Sequence, residues 1–159
     1  MGKQQRAGET KVFASNRQAF YTYFIDERYE AGIVLLGTEV KSIRAGRVNL
    51  KEAYARLDGR ELVLFSCNIS PYSHGGYSNH DPLRPRKLLL HRQEIQKIAQ
   101  KIRSGGATLI PLRMYLTRGH VKVEIALARG KKLWDKRESI RRREQDREAR
   151  AAIHGRRGR

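Results

Sequence analysis

The chain has 159 residues with 34 Lys plus Arg against 16 Asp plus Glu, and its net charge is +18. This excess favours a polyanionic partner, and the abundant arginine favours nucleic-acid phosphates over a membrane surface. The length suits one domain with appendages, and the single cysteine excludes an internal disulfide or a multi-cysteine zinc site.

The positive charge is concentrated near the C-terminus. Net charges are +2 for residues 1–11, +9 for 12–129 and +7 for 130–159. We therefore predict a disordered N-terminal arm (1–11), an RNA-binding domain (12–129) and a basic tail (130–159). No apolar run approaches the roughly 20 residues of a transmembrane helix, and the N-terminus lacks the apolar segment of a secretory signal. We expect a cytoplasmic protein with no membrane partner.

A long first strand is predicted to organise the domain. From Tyr21 to Leu35 the chain alternates loosely, and its end overlaps the apolar run 33–36, which suits a strand buried on both faces. Gly32 inside this strand predicts either a bulge or a close approach of a neighbouring backbone. We predict one long strand that is bent and bulged at this glycine.

A short helix is predicted next, over Thr38–Ala45. Thr38 is suited to the N-cap, and Glu39 lies in the first turn, where the helix dipole favours a carboxylate. Gly46 is placed to end the helix in a left-handed conformation.

Two hairpins are predicted in the rest of the domain. The first joins Leu50–Leu57 to Glu61–Ile69 through Asp58-Gly59, a strong turn signal. The second joins Ala107–Leu116 to Val121–Ala128, which alternates apolar and mostly polar residues. These short strands therefore predict an antiparallel sheet.

The clearest helix in the sequence precedes the second hairpin. Its apolar residues recur at i, i+3, i+4 and i+7 between His91 and Ser104, and two glycines end it. Many short antiparallel strands and little helix predict an α+β fold, a small closed antiparallel β-barrel of the OB type with two or three helices.

The loop of residues 70–86 is long for a compact domain, so it is a candidate functional segment. It interleaves aromatic rings with cations, an arrangement that can stack on unpaired bases and hold phosphates. These residues are Tyr72, His74, Tyr77, His80, Arg84, Arg86 and Lys87. An equally weighted alternative is an ordinary crossover whose tyrosines cover the edge of the barrel.

Support for catalysis is weak, and we expect no enzymatic activity. The sequence lacks a P-loop, a dinucleotide-binding glycine pattern after a strand and a nucleophile elbow. The histidines show no metal-ligand spacing, so neither a metal nor another cofactor is expected. Glu30 could act as a general base, but a lone carboxylate is more often a structural acceptor or a contact to RNA hydroxyls and base donors. Cys67 lies in an apolar strand and is predicted to be a buried small hydrophobe.

The tail is rich in helix formers from Asp135 to Ile153, with favourable i, i+4 ion pairs at Glu138–Arg142 and Asp146–Arg150. It has no apolar stripe, so a helix there gains no packing energy in the free chain. We predict a tail that is disordered when free and helical on a phosphate-rich surface. The alternative is a tail that only adds solubility.

Three segments of the chain closely resemble the SmpB family, the small protein B that partners tmRNA in bacterial trans-translation. They are NRQAFYTYFIDERYEAGIVLLGTEVKSIRAGRVNL from Asn16, DPLRPRKLLLH from Asp81 and GKKLWDKRESIRRRE from Gly130. The resemblance implies an OB-like barrel that binds the tRNA-like domain of tmRNA and enters the empty A site of stalled ribosomes, without catalysis. The tail would occupy the decoding site and the empty mRNA channel and become helical there.

The resemblance also implies site residues. Asn16 and Glu30 match the family's acceptor-side RNA contacts, and Tyr21 stands where the family often has histidine. Trp134 stands where relatives commonly have histidine or tyrosine, and it keeps a stacking surface. With the basic and aromatic residues above, the predicted RNA-binding set is Asn16, Arg17, Tyr21, Glu30, Lys41, Tyr72, Arg84, Arg86 and Lys87. The predicted ribosome-binding set is Gly130, Lys131, Lys132, Trp134, Asp135, Lys136, Arg137, Arg141, Arg142 and Arg143.

Two other classes of protein share some of these features. A structural ribosomal protein, or a general RNA-binding OB protein, would also be basic and tailed. An OB-like core joined to GKKLWDKR favours the adaptor, and a ribosomal protein would stay on ribosomes after a high-salt wash. An RNA-processing enzyme would need an acid–base pair that the sequence does not provide. We therefore predict an RNA-binding adaptor, monomeric on its RNA.

Overall fold

The computed structural model describes residues 10–131 and 133–157, with side chains described except at 77, 133–136, 156 and 157. The strands are β1 Lys11–Ser15, β2 Tyr23–Ile33, β3 Val48–Asn49, β4 Tyr54–Asp58, β5 Glu61–Phe65, β6 Asn68–Ile69, β7 Arg86–Leu89, β8 Thr108–Thr117 and β9 His120–Gly130. The α-helices are α1 Ala19–Thr22, α2 Gly37–Arg44, α3 Arg92–Arg103 and α4 Leu133–Arg157, and Gly76–Ser78 forms a 3₁₀ turn.

Within the described residues, seven strands form one antiparallel sheet in the order β1-β8-β4-β5-β7-β2-β9. β8 also pairs with β9, so the pairing returns from the end of this order to its second strand. A separate two-stranded sheet joins β3 to β6. The predicted α+β class is confirmed, with three described helices in the domain and a fourth in the tail.

Two apolar clusters lie on opposite faces of the β8–β9 hairpin. Successive side chains of a strand point to opposite faces, and along β9 Ile125 and Leu127 join the larger cluster while Ala126 and Ala128 join the smaller. The larger cluster also includes side chains from α2 and α3, and the smaller includes Ala19 of α1. The alternation in the sequence predicts that the β9 face carrying Ala126 and Ala128 is the more polar one. Helix α1 covers one end of this face.

Strand β2 is the predicted long first strand, but its irregularity lies at another position. Its pairing with β9 shifts between Ile25 and Glu27, whereas Gly32 keeps the register. The predicted bulge at Gly32 is therefore wrong. A close approach is present at Gly32, but it is made by a side chain rather than by the predicted neighbouring backbone, since a Cβ at Gly32 would lie 3.2 Å from the Cβ of Leu89 on β7.

Helix α2 ends as predicted and begins differently. Gly46 follows the helix with a φ of +77°, the left-handed conformation that ends many helices. Leu36 is the N-cap residue, and its N–H donates to the Glu39 carboxylate at 2.8 Å. The prediction of Thr38 as the N-cap is wrong, because its hydroxyl shares a 2.9 Å hydrogen bond with His80 Nδ1.

The first predicted hairpin is confirmed at its turn and interrupted further along. Gly59 has a φ of +62° between β4 and β5, as the Asp58-Gly59 signal predicts. The predicted strand over Glu61–Ile69 breaks at Ser66, whose φ of +57° is not an extended conformation. The chain therefore leaves the main sheet after β5, and β6 pairs with β3 instead.

The two ends of the chain differ in how far the structure describes them. β1 begins at Lys11, inside the predicted arm, and residues 1–9 of that arm lie outside the described residues. Leu133–Arg157 is helical, which is the conformation predicted for a bound tail, and disorder of the free tail stays a prediction. No helix in the part of the chain that is described is long and apolar enough to cross a lipid bilayer.

Candidate nucleic-acid interface

The Glu30 carboxylate lies on the outer face of β2, opposite to the larger apolar cluster. Glu30 is exposed, whereas Tyr115 of β8 is only 4% exposed. The Tyr115 hydroxyl donates a hydrogen bond to Glu30 Oε2. Burial, and then this hydrogen bond, raise the pKa of Tyr115, so the phenol keeps its proton and stays a donor. The protein thus holds one oxygen of a carboxylate that faces solvent.

Two arginines and a second carboxylate surround Glu30 on this face. Glu124 is the cross-strand neighbour of Glu30, and like charges in directly opposite positions repel. Glu124 is compensated by Arg28 at 3.5 Å and by Arg113 at 3.1 Å. The Arg113 guanidinium also lies over the Tyr115 ring, 4.6 Å from the ring centroid. The arginines therefore neutralise Glu124, while a neutral hydroxyl is the donor to Glu30.

Asn16 lies just before α1 and is largely built into the structure. It is 8% exposed, its side-chain amide donates to Pro111 O at 3.2 Å, and its N–H donates to Leu112 O at 2.7 Å. These bonds fix the start of α1 against the bulged part of β8. Its predicted RNA contact stays a prediction, and the structure adds a structural role for the same side chain.

The predicted residues Arg17 and Tyr21 lie at the junction between α1 and the tail. The guanidinium of Arg143 lies 4.4 Å from the centroid of the Tyr21 ring. Lys131 Nζ donates to Phe20 O at 3.0 Å and to Ser139 Oγ at 2.8 Å, which ties the start of the tail to both helices. An open cleft of about 500 Å³ lies here, lined in part by Arg17, Tyr21, Lys131, Arg142 and Arg143.

Two exposed phenylalanines at this junction are absent from the predicted set. Phe20 is 44% exposed with the Arg28 guanidinium 5.4 Å from its ring centroid. Phe24 is 46% exposed with Lys131 Nζ at 5.0 Å. An exposed ring beside a cation is a stacking surface for an unpaired base. The local signal is the two aromatic residues with Arg28 close to Phe20, whereas Lys131, the cation beside Phe24, is far away in sequence.

Arg86 is wrongly placed in the predicted RNA-binding set. Its side chain is fully buried, its Nε donates to the buried Glu39 carboxylate, and its Nη1 donates to Cys67 O at 2.7 Å. A guanidinium enclosed and paired in this way cannot reach a ligand on the surface. Arg84 shares the same carboxylate at 2.5 Å and keeps 30% of its side chain exposed. It can still face RNA, but part of its charge is already compensated.

The Glu39 carboxylate is therefore the centre of a buried ionic network. Burial acts to raise the pKa of Glu39, but hydrogen bonds from Arg84, from the Leu36 N–H and from Arg86 together hold it below its ordinary value. Glu39 is thus ionised at neutral pH, and it joins α2 to the end of the 70–86 loop and to β7.

Lys41, Tyr72 and Lys87, three further residues of the predicted RNA-binding set, lie at the surface around the 70–86 loop. Lys41 Nζ is 5.3 Å from the centroid of the Tyr72 ring, so α2 and the loop bring these two predicted contacts together. Lys87 is exposed and pairs with Glu61 at 2.9 Å. His80 differs from the stacking role considered for it, because it is 7% exposed and its Nε2 lies 2.8 Å from Ile69 O. The side chain of Tyr77 lies outside the described residues.

The tail residues are described in part. Gly130 ends β9, Arg137 and Arg141 are exposed on α4, and Arg142 pairs with Glu138 at 3.4 Å as its spacing predicts. Lys132 and the side chains of Trp134, Asp135 and Lys136 lie outside the described residues.

The described residues give little support for a metal site or a reactive thiol. Across the described ranges, no group of three or more His, Cys, Asp or Glu residues is arranged to hold a metal ion. Cys67 is 1% exposed, and burial raises the pKa of its thiol to about 11, so it is the predicted buried small hydrophobe.

Fold and surface together define a class of protein. It is a basic α+β domain whose antiparallel sheet carries a carboxylate, exposed rings and cations on its outer face, next to a cationic helical tail. These are the groups that bind structured and unpaired nucleic acid. The SmpB protein family profile matches residues 13–155, and the chain belongs to this family.

Similar proteins cover nearly the whole chain. An SsrA-binding protein of Caldanaerobacter subterraneus subsp. tengcongensis is 59% identical over 140 residues, 88% of this chain and 89% of that protein. Those of Syntrophobacter fumaroxidans and Geobacillus kaustophilus are 54% and 53% identical, covering 92% and 94% of this chain and 91% and 96% of their own lengths. A solved chain described as "tmRNA-SmpB: a journey to the center of the bacterial ribosome" is 48% identical, with a TM-score of 0.65 over 81% of this chain and 94% of that one.

Proposed function

We propose that this protein is an RNA-binding adaptor of trans-translation. It binds the tRNA-like domain of tmRNA through its domain and brings that RNA to the A site of stalled ribosomes, where the tail occupies the decoding site and the empty mRNA channel. It acts in the cytoplasm by binding, as a monomer on its RNA, and catalyses no reaction.

One observation carries this proposal. The chain is 59% identical over 88% of its length to a protein named for binding SsrA, the RNA that is also called tmRNA. The surface has the chemistry that such a partner needs, since an exposed carboxylate accepts from base donors and ribose hydroxyls while arginines hold phosphates. A net charge of +18 provides the long-range attraction.

The sheet supports a closed barrel of the OB type as part of this proposal. β8 pairs with β4 on one side and with β9 on the other, and β9 continues through β2, β7 and β5 back to β4. Closure of this ring gives each of its six strands a neighbour on both sides, which reduces the unpaired strand edges that small antiparallel domains otherwise expose. In an OB-type barrel the outer face and the adjoining loops bind the oligonucleotide.

Replacement of Glu30 tests the proposed RNA surface. We expect Glu30→Ala to weaken binding of the tRNA-like domain by about 5- to 150-fold, since a lost hydrogen bond to a charged group is worth about 1–3 kcal/mol. Glu27→Ala is the matched control, because Glu27 lies on the same strand and accepts hydrogen bonds from Tyr29 and Lys101. Affinity is measured by titration of the RNA, and thermal unfolding is measured on both variants.

Wild-type affinity in Glu30→Ala would contradict the proposed surface. An equal loss of RNA affinity in Glu27→Ala would show that the effect comes from a change in the strand as a whole rather than from its outer face. Asn16→Ala is a less selective probe than Glu30→Ala. Its buried amide also bonds to Pro111 O, so we expect a loss of stability together with any loss of affinity.

A further inference from the structure

We propose that Tyr115 positions Glu30 for its contact with RNA, an inference that rests on the proposed function of the outer face. The observation is the hydrogen bond from a 4% exposed tyrosine to an exposed carboxylate. A free glutamate on a strand surface samples several rotamers, and each contact that it makes must first restrict them. A donor fixed in the sheet holds the carboxylate in one orientation before the ligand arrives, which favours binding.

The tyrosine is itself held rigidly, as this role requires. Its neighbours across the sheet are Val12 on β1 and Lys122 on β9. The Arg113 guanidinium lies over its ring and is fixed by Glu124 at 3.1 Å. The hydroxyl therefore has little freedom to follow Glu30, and the flexible glutamate instead adopts the position that the hydroxyl sets.

The same strand contains a second tyrosine–carboxylate pair, which serves as an internal comparison. Tyr29 packs against the larger cluster and its hydroxyl donates to Glu27, a carboxylate that also contacts Lys101 of α3. Both pairs join a partly or fully buried phenol to a carboxylate of β2. They differ in the side of the strand, because Glu30 faces outward beside Arg28 and Arg113, whereas Glu27 faces α3.

The test is the removal of one oxygen atom at each tyrosine. Tyr115→Phe keeps the ring and the stacked arginine but loses the hydroxyl, and we expect it to weaken binding of the tRNA-like domain by about 3- to 10-fold. Tyr29→Phe loses an equivalent hydroxyl and should leave the affinity unchanged. Both variants are followed by thermal unfolding, since each loses one hydrogen bond of the folded state.

A double-mutant cycle separates positioning from a general structural effect. On a Glu30→Ala background, Tyr115→Phe should cause no further loss of affinity, because the carboxylate that it orients is absent. An additive loss on that background, or an unchanged affinity in Tyr115→Phe alone, would overturn the inference. If Glu30→Ala itself binds as well as the wild type, the proposed function of this face fails first, and the two failures are thereby distinguished.

Discussion

Glu39 and Arg86 are the two fully buried charged residues at the centre of the described domain. Neither charge would be stable there alone, because transfer of an unpaired ion out of water is very costly. The buried pair is stable because both ions also have hydrogen-bond partners in the surrounding structure. Glu39 also accepts from Arg84 and from the Leu36 N–H, and Arg86 donates to Cys67 O. The network therefore joins helix, loop and strand in one arrangement.

We expect this network to make the protein sensitive to acid. The pKa of Glu39 is lowered on folding, so its stabilisation is fully present above the ordinary carboxyl pKa of 4.5 and is lost as pH falls through the lower folded value. Glu39→Gln should lower the free energy of unfolding at neutral pH by about 3–5 kcal/mol, because Arg86 is left buried and uncompensated. It should also flatten the fall in stability below pH 4.5, measured by denaturant titration at several pH values.

Two further variants test whether the buried charge is the cause. Glu61→Gln breaks an exposed pair with Lys87 and should change stability by less than about 1 kcal/mol. The double variant Glu39→Gln with Arg86→Met removes the buried cation as well, so it should recover part of the loss. A double variant less stable than Glu39→Gln would show that the loss of stability comes from packing or hydrogen bonding rather than from the unpaired charge.

At the scale of elements, the sequence correctly predicts the turns, helix ends and element types that are determined by neighbouring residues. Gly46, Gly59 and the glycines after α3 adopt the positive φ angles that their places imply. The apolar spacing of α3 and the alternation of β9 give the right element types within a few residues. These signals are contained in a few consecutive residues, so no knowledge of the tertiary fold is needed to interpret them.

The sequence-based predictions are wrong where the structure depends on contacts between residues that are far apart in the chain. The sequence predicts Arg86 at the surface, and it gives no sign of the buried pair because Glu39 is 47 residues away and no local pattern joins the two residues. The same cause places the strand irregularity between Ile25 and Glu27 rather than at Gly32, since the register of β2 is set by its pairing with β9. Likewise, Tyr115 gives no local sign that its hydroxyl meets Glu30, 85 residues earlier.

Helix α4 is the element whose stability depends most on its surroundings. It spans 25 residues, and the large apolar side chains that the structure describes on it, Ile140 and Ile153, are 47% and 58% exposed. Its described contacts with the domain are polar or aromatic, such as Arg143 on Tyr21. Without an apolar stripe, the helix should be marginal in water.

We therefore expect the helix content of the tail to depend on a polyanion. The circular-dichroism difference between the full chain and a chain ending at Arg129 should show little helix in dilute buffer. It should increase when RNA is added, because phosphates neutralise the arginines of α4. A difference spectrum that is fully helical without RNA would contradict the prediction of a tail that is disordered when free.

At the scale of the whole molecule, charge should control affinity. With a net charge of +18, binding to structured RNA should weaken steeply with salt, by a log–log slope of about 0.7–0.9 for each phosphate contacted. The slope is measured by titrating the RNA at several salt concentrations. Glu30→Ala should lower the affinity without changing the slope, since it removes an acceptor and no cation. A slope near zero for the wild type would exclude a dominant role for phosphate contacts.

The division of charge along the chain suggests two separate tasks. The outer face of the sheet belongs to residues before 130, whereas the tail carries +7 in its 30 residues. The two parts meet at a small junction, where the Lys131 N–H donates to Thr22 O at 3.0 Å and Arg143 covers Tyr21. If the domain holds tmRNA while the tail is recognised by ribosomal RNA, the two RNA-binding surfaces must lie on separate parts of the chain.

Truncation tests this division directly. A chain ending at Arg129 should bind tmRNA nearly as well as the full chain, yet fail to support tagging of stalled nascent peptides. Trp134→Ala should show a milder form of the same split, because an indole among cations can stack on an unpaired base for about 1–3 kcal/mol. Arg143→Ala is the control for the junction, since it removes the contact with Tyr21 but keeps the tail. RNA affinity and tagging yield are measured on each variant. If truncation abolishes tmRNA binding while Arg143→Ala does not, the tail is part of the primary RNA site and the division of tasks is wrong.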